Sequence, residues 1–346
     1  MSQGLGEEIK KRLLLLCEGE DLRFDEPMRK HTSFRVGGEA DAWIGWRDLS
    51  HAKELLSFLE KERIPYFITG NGTNLLVSDQ GYRGVILCTA GQREPVRVVE
   101  NRILAPAGAS LARIAEEALR ASLTGLEGAA GIPGSLGGAL CMNAGAYDFE
   151  MKDVTEQVTA LRMDTPASPG PSEEEAEKKD EEKDRGRDRA EGGVKEGEGA
   201  PAGKVEQVQL SGSEMEFGYR SSIAGKQKIF FLSARLKLTP GNPEEIRARM
   251  EELALRRKQK QPLEFASAGS TFKRPRGSFA GKLIEEAGLR GFRIGEAQVS
   301  EKHCGFVINR GGASASEIMQ VILAVTERVE EKTGIRLETE VIPLGF

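Results

Sequence analysis

The spacing of apolar positions before residue 165 predicts helices that alternate with short strands. One helix is expected over residues 49–62, where leucines recur at helical spacing and Ser50 is a candidate N-cap. A second helix is expected over residues 111–121, capped by Ser110 and ending near Gly125. Short apolar runs predict strands over residues 66–69, 85–87 and 103–105.

The pattern after residue 204 predicts a further mixture of the two element types. Strands are expected over residues 205–210, 228–238, 305–309 and 340–342. Helices are expected over residues 243–261, 279–287 and 316–333. Such a layout is typical of an α+β fold, here a mixed sheet unit and a second, smaller unit.

Residues 165–204 differ in composition from the rest of the chain. The segment has no aromatic residue, so it offers too little apolar surface to offset an ordering entropy of about 1–2 kcal/mol per residue. Its 8 basic and 12 acidic residues give a net charge of −4, most of the −5 of the whole chain. We expect a disordered charged insertion in a surface hairpin, because loop closure costs rise slowly with length. An acidic arm that binds a partner is the alternative.

The overall composition places the chain among soluble globular proteins. At 346 residues, with 39% hydrophobic and 30% charged residues, it suits two or three packed units. No apolar run is long enough to cross a membrane. The four leucines at 13–16 are followed by Glu18 and Glu20, which fits an amphipathic first helix better than a signal peptide. We therefore expect a cytoplasmic protein without membrane insertion.

Charge and the scarcity of metal-ligating residues exclude two further classes. Outside the insertion the chain is almost neutral, so it lacks the basic surface that binding to nucleic acid requires. The four cysteines form no CxxC pair and there are only three histidines, which argues against a zinc site and a disulfide framework. No resident metal is expected.

A glycine-rich segment over residues 70–77 (GNGTNLLV) directly follows a predicted strand. Its glycines let the main chain approach an anion closely. The segment is not the dinucleotide fingerprint GxGxxG, because the third glycine position falls on Leu75 and no helix is expected to begin there. A plain tight turn is the alternative interpretation.

A second glycine-rich segment covers residues 131–138 (GIPGSLGG). Four glycines and a proline leave little side chain to pack, and Asn143-Ala144-Gly145 adds an amide among small residues. A flat ring with polar edges, such as flavin, fits this surface. A buried glycine-rich crossing of strands is the alternative.

Three polar residues outside the glycine segments are candidates for chemistry. Ser270 has no GxSxG surroundings, so it is either a hydrogen-bond and proton donor or a helix or turn cap. Arg220 can bind a carboxylate or phosphate with its planar fork, or form a surface ion pair. Glu340 shares a strand face with Glu338, and it has no role if that face is turned to solvent.

Six motifs of this chain occur in the same order in a known enzyme family. They are HTSFRVGG (31–38), GNGTNLLV (70–77), GIPGSLGGALCMNAGAY (131–147), FGYRSS (217–222), GSTFKRP with FAGKLIEEAGLRG (269–291) and LETEV (337–341). With them the chain resembles the UDP-N-acetylenolpyruvoylglucosamine reductases (the MurB family), over nearly all of its length apart from the insertion.

The resemblance implies a fold and a reaction. The expected fold is an FAD-binding domain of the vanillyl-alcohol-oxidase/p-cresol-methylhydroxylase type, with lobes at 1–90 and 91–239, and a smaller α+β substrate-binding domain at 240–346. The implied activity is that of a UDP-N-acetylmuramate dehydrogenase, a flavin-dependent oxidoreductase. It reduces UDP-N-acetyl-3-O-(1-carboxyvinyl)-glucosamine to UDP-N-acetylmuramate for peptidoglycan synthesis. FAD is bound non-covalently, NADPH is the reductant, and the UDP-sugar is the partner.

The resemblance also implies roles for individual residues. Arg220, helped by Glu340, stabilises charge on the substrate carboxylate, and Ser270 delivers a proton to the neighbouring carbon. Substrate contacts are implied for Tyr219, Lys273, Arg290 (at the diphosphate) and His303. Cofactor contacts are implied for Gly70, Asn71, Gly72, Thr73, Asn74, Leu75, Gly131, Ile132, Pro133, Gly134, Ser135, Gly137, Gly138, Asn143, Ala144 and Gly145.

The chain departs from the family pattern at two points. Arg274 stands where many relatives carry Asn, and no extra loop bears the tyrosine that one subgroup folds over its substrate. The chain therefore resembles the second, lid-poor subgroup. Two other interpretations are an oxidase of the same superfamily that acts on a sugar lactone, and a non-catalytic binding protein. Neither needs Arg220, Ser270 and Glu340 together.

Overall fold

The computed structural model describes residues 4–49, 51–163 and 204–346. The predicted N-cap Ser50 and the predicted insertion, apart from Lys204, lie outside these residues. No helix in the described ranges combines the length and apolar character needed to span a bilayer. The described helices are α1 (Glu7–Leu16), α2 (Ala52–Lys61), α3 (Leu111–Arg120), α4 (Leu136–Cys141), α5 (Pro243–Lys260), α6 (Ala280–Glu286) and α7 (Ala315–Thr333).

Eighteen strands, most of them short, accompany these α-helices in the described residues. They are β1 (Asp21–Pro27), β2 (Glu39–Gly45), β3 (Tyr66–Thr69), β4 (Leu75–Val77), β5 (Tyr82–Cys88), β6 (Arg97–Val99), β7 (Arg102–Pro106), β8 (Leu123–Thr124), β9 (Gly145–Ala146), β10 (Phe149–Glu150), β11 (Thr155–Met163), β12 (Val205–Ser211), β13 (Ile229–Lys237), β14 (Thr239–Pro240), β15 (Arg293–Ile294), β16 (Ala297–Val299), β17 (Val307–Asn309) and β18 (Ile342–Leu344).

The first lobe is a four-stranded sheet in the order β1-β2-β5-β3. Strand β5 runs parallel to β2 and β3, and β1 is antiparallel at the edge. Helix α2 buries Leu55, Leu56 and Leu59 against this sheet, which confirms the helical spacing of the leucines. The first glycine-rich segment leaves the end of β3 and enters β4.

The second lobe is a five-stranded antiparallel sheet in the order β12-β11-β13-β7-β6. Helix α3 begins after Ser110, whose side chain accepts a hydrogen bond from the Arg113 N–H, as predicted. Helix α3 ends at Arg120, one residue before the predicted end at 121, and Gly125 follows only after the short strand β8. Met163 at the end of β11 lies opposite Val205 at the start of β12, so the undescribed segment connects two paired residues.

The third unit is a three-stranded sheet, β15-β16-β17, packed with α6 and α7. Helix α7 begins with a capping box between Ser314 and Glu317 and ends at Gly334 in the left-handed conformation. Its buried face packs into a core that also contains Phe34 and Leu76 from the first lobe. The third unit is therefore joined to the first lobe by apolar burial.

Strand β18 pairs in parallel with β4 of the first lobe. The prediction of a strand over residues 340–342 was wrong at both ends, because β18 spans Ile342–Leu344. The main-chain N–H groups of Glu340 and Val341 donate to the Thr271 carbonyl instead of a sheet partner. Leu337 and Val341 are buried, while Glu338 is exposed and Glu340 is turned inward.

Candidate active site

Arg220 is presented by a tight turn between Gly218 and Ser221. The turn is closed by hydrogen bonds in both directions between the main chains of these two residues, at 3.0 and 3.4 Å. Arg220 itself has φ = 51°, a left-handed conformation that costs a side-chain-bearing residue about 1–2 kcal/mol. Ser222 donates its hydroxyl hydrogen to the Cys141 carbonyl at 2.9 Å and so fixes the turn to the end of α4.

Asn143 fixes the same turn from a second direction. Its side chain is buried, and its Nδ2 donates to the Gly218 carbonyl at 3.0 Å and to Glu150 Oε2 at 3.1 Å. Its Oδ1 accepts from the Lys152 N–H at 3.0 Å. All polar atoms of this side chain therefore have protein partners, although the sequence assigned it to the cofactor. A cofactor contact through Asn143, Ala144 or Gly145 stays a prediction.

Glu340 forms the ion pair of the site. Its Oε1 accepts from Arg220 Nε at 2.6 Å, and its side chain is only 13% exposed. Burial raises the pKa of Glu340 above its ordinary value, while the charges of Arg220 and Lys273 oppose this rise. A buried carboxylate with one arginine partner directs and orients the guanidinium toward the cavity.

Ser270 is exposed to the cavity and follows Gly269, which has φ = 76°. The next residue, Thr271, is fully buried and anchors the segment. Its N–H donates to the Gly305 carbonyl at 2.8 Å, its Oγ1 accepts from the Val307 N–H at 2.9 Å, and its carbonyl accepts from the Glu340 N–H at 2.9 Å. Thr271 therefore fixes both neighbours: Ser270 precedes it in the chain, and the main chain of Glu340 is hydrogen-bonded to it.

One cavity of about 480 Å³ brings the candidates together. Ser270, Arg220 and Glu340 line it, and so do the predicted substrate contacts Tyr219, Arg290 and His303. Further lining residues supply positive charge and an aromatic edge; they are Arg274, Lys282, Lys302 and Phe279. The cavity wall is thus rich in cations, which suits a diphosphate.

Two lining residues have environments that define their chemistry. Burial lowers the pKa of His303, and its Nδ1 accepts from the Gly305 N–H at 3.1 Å, so the neutral ring carries its proton on Nε2. Burial raises the pKa of the Cys304 thiol, although the charge of Arg290 opposes the shift. Arg290 also pairs with Glu285 at 2.6 Å. At neutral pH His303 is therefore a neutral donor and Cys304 a protonated thiol.

Lys273 is the predicted substrate residue that does not line this cavity. Its Nζ pairs with Glu338 at 3.2 Å on the exposed side of the segment. Its main-chain N–H donates to the Glu338 carbonyl at 2.8 Å, so the residue helps to hold the strand that carries Glu340. A direct substrate contact of Lys273 stays a prediction.

The two glycine-rich segments meet at the junction of the lobes. A Cβ at Gly70 would collide with Ser135 Oγ, so only glycine permits this approach. At Gly134, in contrast, the nearest atom to an added Cβ is Thr73 Oγ1 at 3.9 Å, which leaves open space beside the main chain. No described residue accepts a hydrogen bond from the main-chain N–H groups of residues 71–74. Residues 70–75 and 131–138 therefore form a glycine cradle in which the first segment supplies free donors and the second supplies open space, a combination that fits a pyrophosphate group such as that of FAD.

Sequence reasoning missed the roles of Arg257 and Phe279 in this region, and it noted Arg274 only as a departure from the family pattern. Arg257 on α5 lies against Gly131, with its Nη1 3.5 Å from the position of an added Cβ. No carboxylate of the described residues lies within 4 Å of it, and burial lowers its pKa. The guanidinium of Arg274 stacks on Phe279 at 4.1 Å, and the Arg274 N–H donates to the Tyr219 hydroxyl at 2.9 Å. The charged residues of α5 predict a solvent-exposed helix, so its sequence gives no sign that Arg257 is partly buried. The contact between the Arg274 N–H and the Tyr219 hydroxyl joins two distant turns, and no sequence pattern predicts it.

The two sheet lobes, the glycine cradle between them and the adjoining cation-lined cavity define an FAD-dependent oxidoreductase. A family model described as an FAD binding domain matches residues 41–167. A model described as the C-terminal domain of UDP-N-acetylenolpyruvoylglucosamine reductase matches residues 261–344. These matches confirm the predicted fold of an FAD-binding domain followed by a smaller α+β domain.

Full-length relatives give the particular family. The chain is 44% identical over 339 residues to the UDP-N-acetylenolpyruvoylglucosamine reductase of Clostridioides difficile, covering 98% of each chain. It is also 44% identical to that of Caldanaerobacter subterraneus, covering 100% of this chain and 99% of the relative. The chain belongs to the UDP-N-acetylenolpyruvoylglucosamine reductase (MurB) family.

A solved structure supports the assignment at the level of the fold. The crystal structure of the reductase from Thermus caldophilus superimposes with a TM-score of 0.68 at 30% identity. The superposition covers 94% of this chain and 98% of that one. The lobes and the third unit therefore have counterparts in a solved member of the family.

Proposed function

We propose that Arg220, Glu340 and Ser270 carry the proton and charge chemistry of a flavin-dependent reduction in this cavity. The chain reduces UDP-N-acetyl-3-O-(1-carboxyvinyl)-glucosamine to UDP-N-acetylmuramate with NADPH, a step of peptidoglycan precursor synthesis. When bound, FAD supplies the hydride that saturates the terminal vinyl carbon. The observation that supports the residue roles is the convergence of all three side chains on one cavity.

Arg220 has the geometry to stabilise developing negative charge. Addition of hydride to the vinyl carbon shifts electron density toward the substrate carboxylate. The Arg220 Nε is occupied by Glu340, which leaves its terminal nitrogens to face that carboxylate. Because the turn holds Arg220 in a fixed left-handed conformation, the cation needs little reorganisation as charge develops.

Ser270 has the position of the proton donor. Its hydroxyl faces the cavity, and Thr271 fixes the main chain beneath it. The proton passes from Ser270 Oγ to the carbon that bears the carboxylate, next to the reduced one. A hydroxyl without a neighbouring base is a poor nucleophile, so donation is the chemistry it can perform here.

The remaining lining residues suit the UDP-sugar. Arg290 and Lys302 supply positive charge for the diphosphate, His303 can donate from Nε2, and the Tyr219 ring lies 5.3 Å from the Arg220 guanidinium. We assign the cofactor to the cradle over residues 70–75 and 131–138. The domain division at 1–90, 91–239 and 240–346, a cytoplasmic location and the lack of a nucleic-acid partner belong to the same proposal.

Anaerobic half-reactions test the proposal. NADPH should reduce the bound flavin and so bleach the yellow protein. The enolpyruvyl UDP-sugar should then reoxidise the flavin and restore the colour, a step called recolouring below. Bleaching by a sugar lactone, with return of colour on addition of oxygen but not of this substrate, would identify an oxidase instead. A protein that does not bind added FAD would exclude both activities.

Replacing Ser270 by Ala separates the two half-reactions. Bleaching by NADPH should be nearly unchanged, whereas recolouring by substrate should fall by about 10²–10⁴-fold, the usual contribution of a positioned proton donor. Ser267→Ala, in the same segment but outside the cavity lining, is the matched control and should behave as the parent. Full activity of the Ser270→Ala variant would contradict the assignment.

A further inference from the structure

Asn74 and Glu340 are neighbours because of one pair of strands. Asn74 directly precedes β4, and Glu340 lies two residues before β18. The strands pair in parallel, with Leu75 opposite Ile342, so the residues that precede them meet at the same edge. The structure thus joins the end of the cofactor segment to the charged residue of the cavity, 266 positions apart in sequence.

Two hydrogen bonds connect this pair of segments. Asn74 Nδ2 donates to the main-chain carbonyl of Glu340 at 3.0 Å. In the other direction, the Ile342 N–H donates to the Asn74 carbonyl at 2.9 Å. The Glu340 N–H is bound to the Thr271 carbonyl, so both main-chain polar groups of Glu340 have defined partners. Of these contacts, only the one from Asn74 depends on a side chain.

We propose that Asn74 is a positioning residue for Glu340, in addition to any contact that its main chain makes with FAD. By holding the Glu340 carbonyl, the amide sets the direction from which Oε1 meets Arg220 Nε at 2.6 Å. The other side of this peptide, the Val341 N–H, reaches the Thr271 carbonyl only at 3.5 Å, so loss of the amide contact would loosen the peptide and move the carboxylate and, with it, the guanidinium. This inference rests on the proposed function, because it assigns Asn74 to the step that uses Arg220.

A purely cofactor-binding role for the Asn74 side chain makes a different prediction. If the amide served FAD, its removal would release the flavin and weaken both half-reactions together. If it serves Glu340, the flavin should stay bound and bleach normally, and only the transfer to substrate should slow. Flavin retention and the ratio of the two half-reactions therefore separate the roles.

Asn74→Ala, prepared as the FAD-loaded protein, is the variant to measure. Its FAD dissociation constant and its rate of bleaching by NADPH should stay within about threefold of the parent. Its recolouring by the enolpyruvyl UDP-sugar should slow by about 10–100-fold, because small misplacement of a catalytic group is costly. Asn101→Ala is the matched control, since Asn101 Nδ2 also donates to a distant carbonyl, that of Leu238, at 3.2 Å.

A double variant tests whether the effect passes through Glu340. In a Glu340→Gln background, Asn74→Ala should slow recolouring much less than it does alone, because the carboxylate it positions is gone. Asn74→Leu keeps most of the side-chain volume but has neither a donor nor a charge, and it should show the same split if the alanine variant does not fold. Loss of FAD, equal slowing of both half-reactions, or additive effects with Glu340→Gln would overturn the proposal. Failure of the parent protein to recolour would instead reject the proposed function.

Discussion

Arg220 shows how a single residue is made ready for chemistry by local strain. A left-handed arginine is unfavourable by itself, and the fold offsets this with bonds from Asn143 to Gly218 and from Ser222 to Cys141. The sequence predicted the chemical type of this residue but allowed a surface ion pair as well. Only the fold shows that its ion pair, with Glu340, is largely buried and faces a cavity.

Lysine cannot replace Arg220 in this arrangement. A lysine has a single ammonium group instead of a guanidinium with Nε and two terminal nitrogens. It could therefore pair with Glu340 or face the substrate, but not both. We expect Arg220→Lys to slow recolouring by substrate by about 10²–10³-fold, the effect of losing one preorganised charge donor. Bleaching by NADPH should change little. Arg162→Lys, at the surface pair with Glu206, is the control and should match the parent.

Glu340 gives the second half-reaction a pH dependence. Burial raises the pKa of Glu340, so its protonated form persists to a higher pH than that of an ordinary glutamate. Protonation weakens the ion pair with Arg220, and recolouring should therefore rise with pH through an apparent pKa above the ordinary 4.5. Single-turnover rates against pH would show this limb, and Glu340→Gln should lack it. A rate that falls over the same interval would mean that the protonated acid is the active form.

At the scale of elements, local pattern located most helices and strands because each buries one face. Strand β3 and the capped helix α3 agree with their predicted positions to within a residue. Strand β18 was misplaced because Glu340 and Val341 donate to Thr271, a contact that depends on how distant segments meet. The same limit applies to the cavity. The sequence predicted the types of residue that line it, but it could not predict the hydrogen bond between Asn74 and Glu340, which are far apart in the chain.

The glycine cradle gives a prediction at this scale. Gly134 has room for a methyl group, since only Thr73 Oγ1 lies within 4 Å of an added Cβ. Gly134→Ala should therefore leave the free energy of unfolding of the apoprotein unchanged within about 0.5 kcal/mol. It should weaken FAD binding by about tenfold or more, because the methyl group would occupy space reserved for the ligand.

Flavin fluorescence titration and chemical unfolding measure these two quantities separately. Gly225→Ala is the matched control, because a Cβ there meets no atom within 4 Å and the residue lies outside the cradle. Unchanged FAD affinity of Gly134→Ala would remove this residue from the proposed cofactor site.

At the scale of the whole molecule, the lobes and the third unit share cores and strands. Phe34 and Leu76 pack with α7, and β18 lies in the first lobe. Met163 and Val205, the residues on either side of the segment 164–204, face each other across the pair β11 and β12. A short turn can join two residues that face each other across a hairpin.

Deletion of residues 166–203 should therefore leave FAD content and turnover nearly intact. Shortening the connection also lowers the entropy cost of closing the hairpin, so the free energy of unfolding should rise by about 1–2 kcal/mol. Flavin absorbance, steady-state rates and urea unfolding, each compared with the parent protein, would check this expectation. Loss of flavin on deletion would show that the segment belongs to the fold.

The parallel pairing of β18 with β4 also sets an order of events during synthesis. A ribosome makes β4 early, but its partner strand and Glu340 emerge only after both lobes and most of the third unit. Until then β4 exposes an unpaired edge, and Arg220 lacks its carboxylate. The Arg220–Glu340 ion pair can therefore form only after the last strand has been synthesised and has paired with β4.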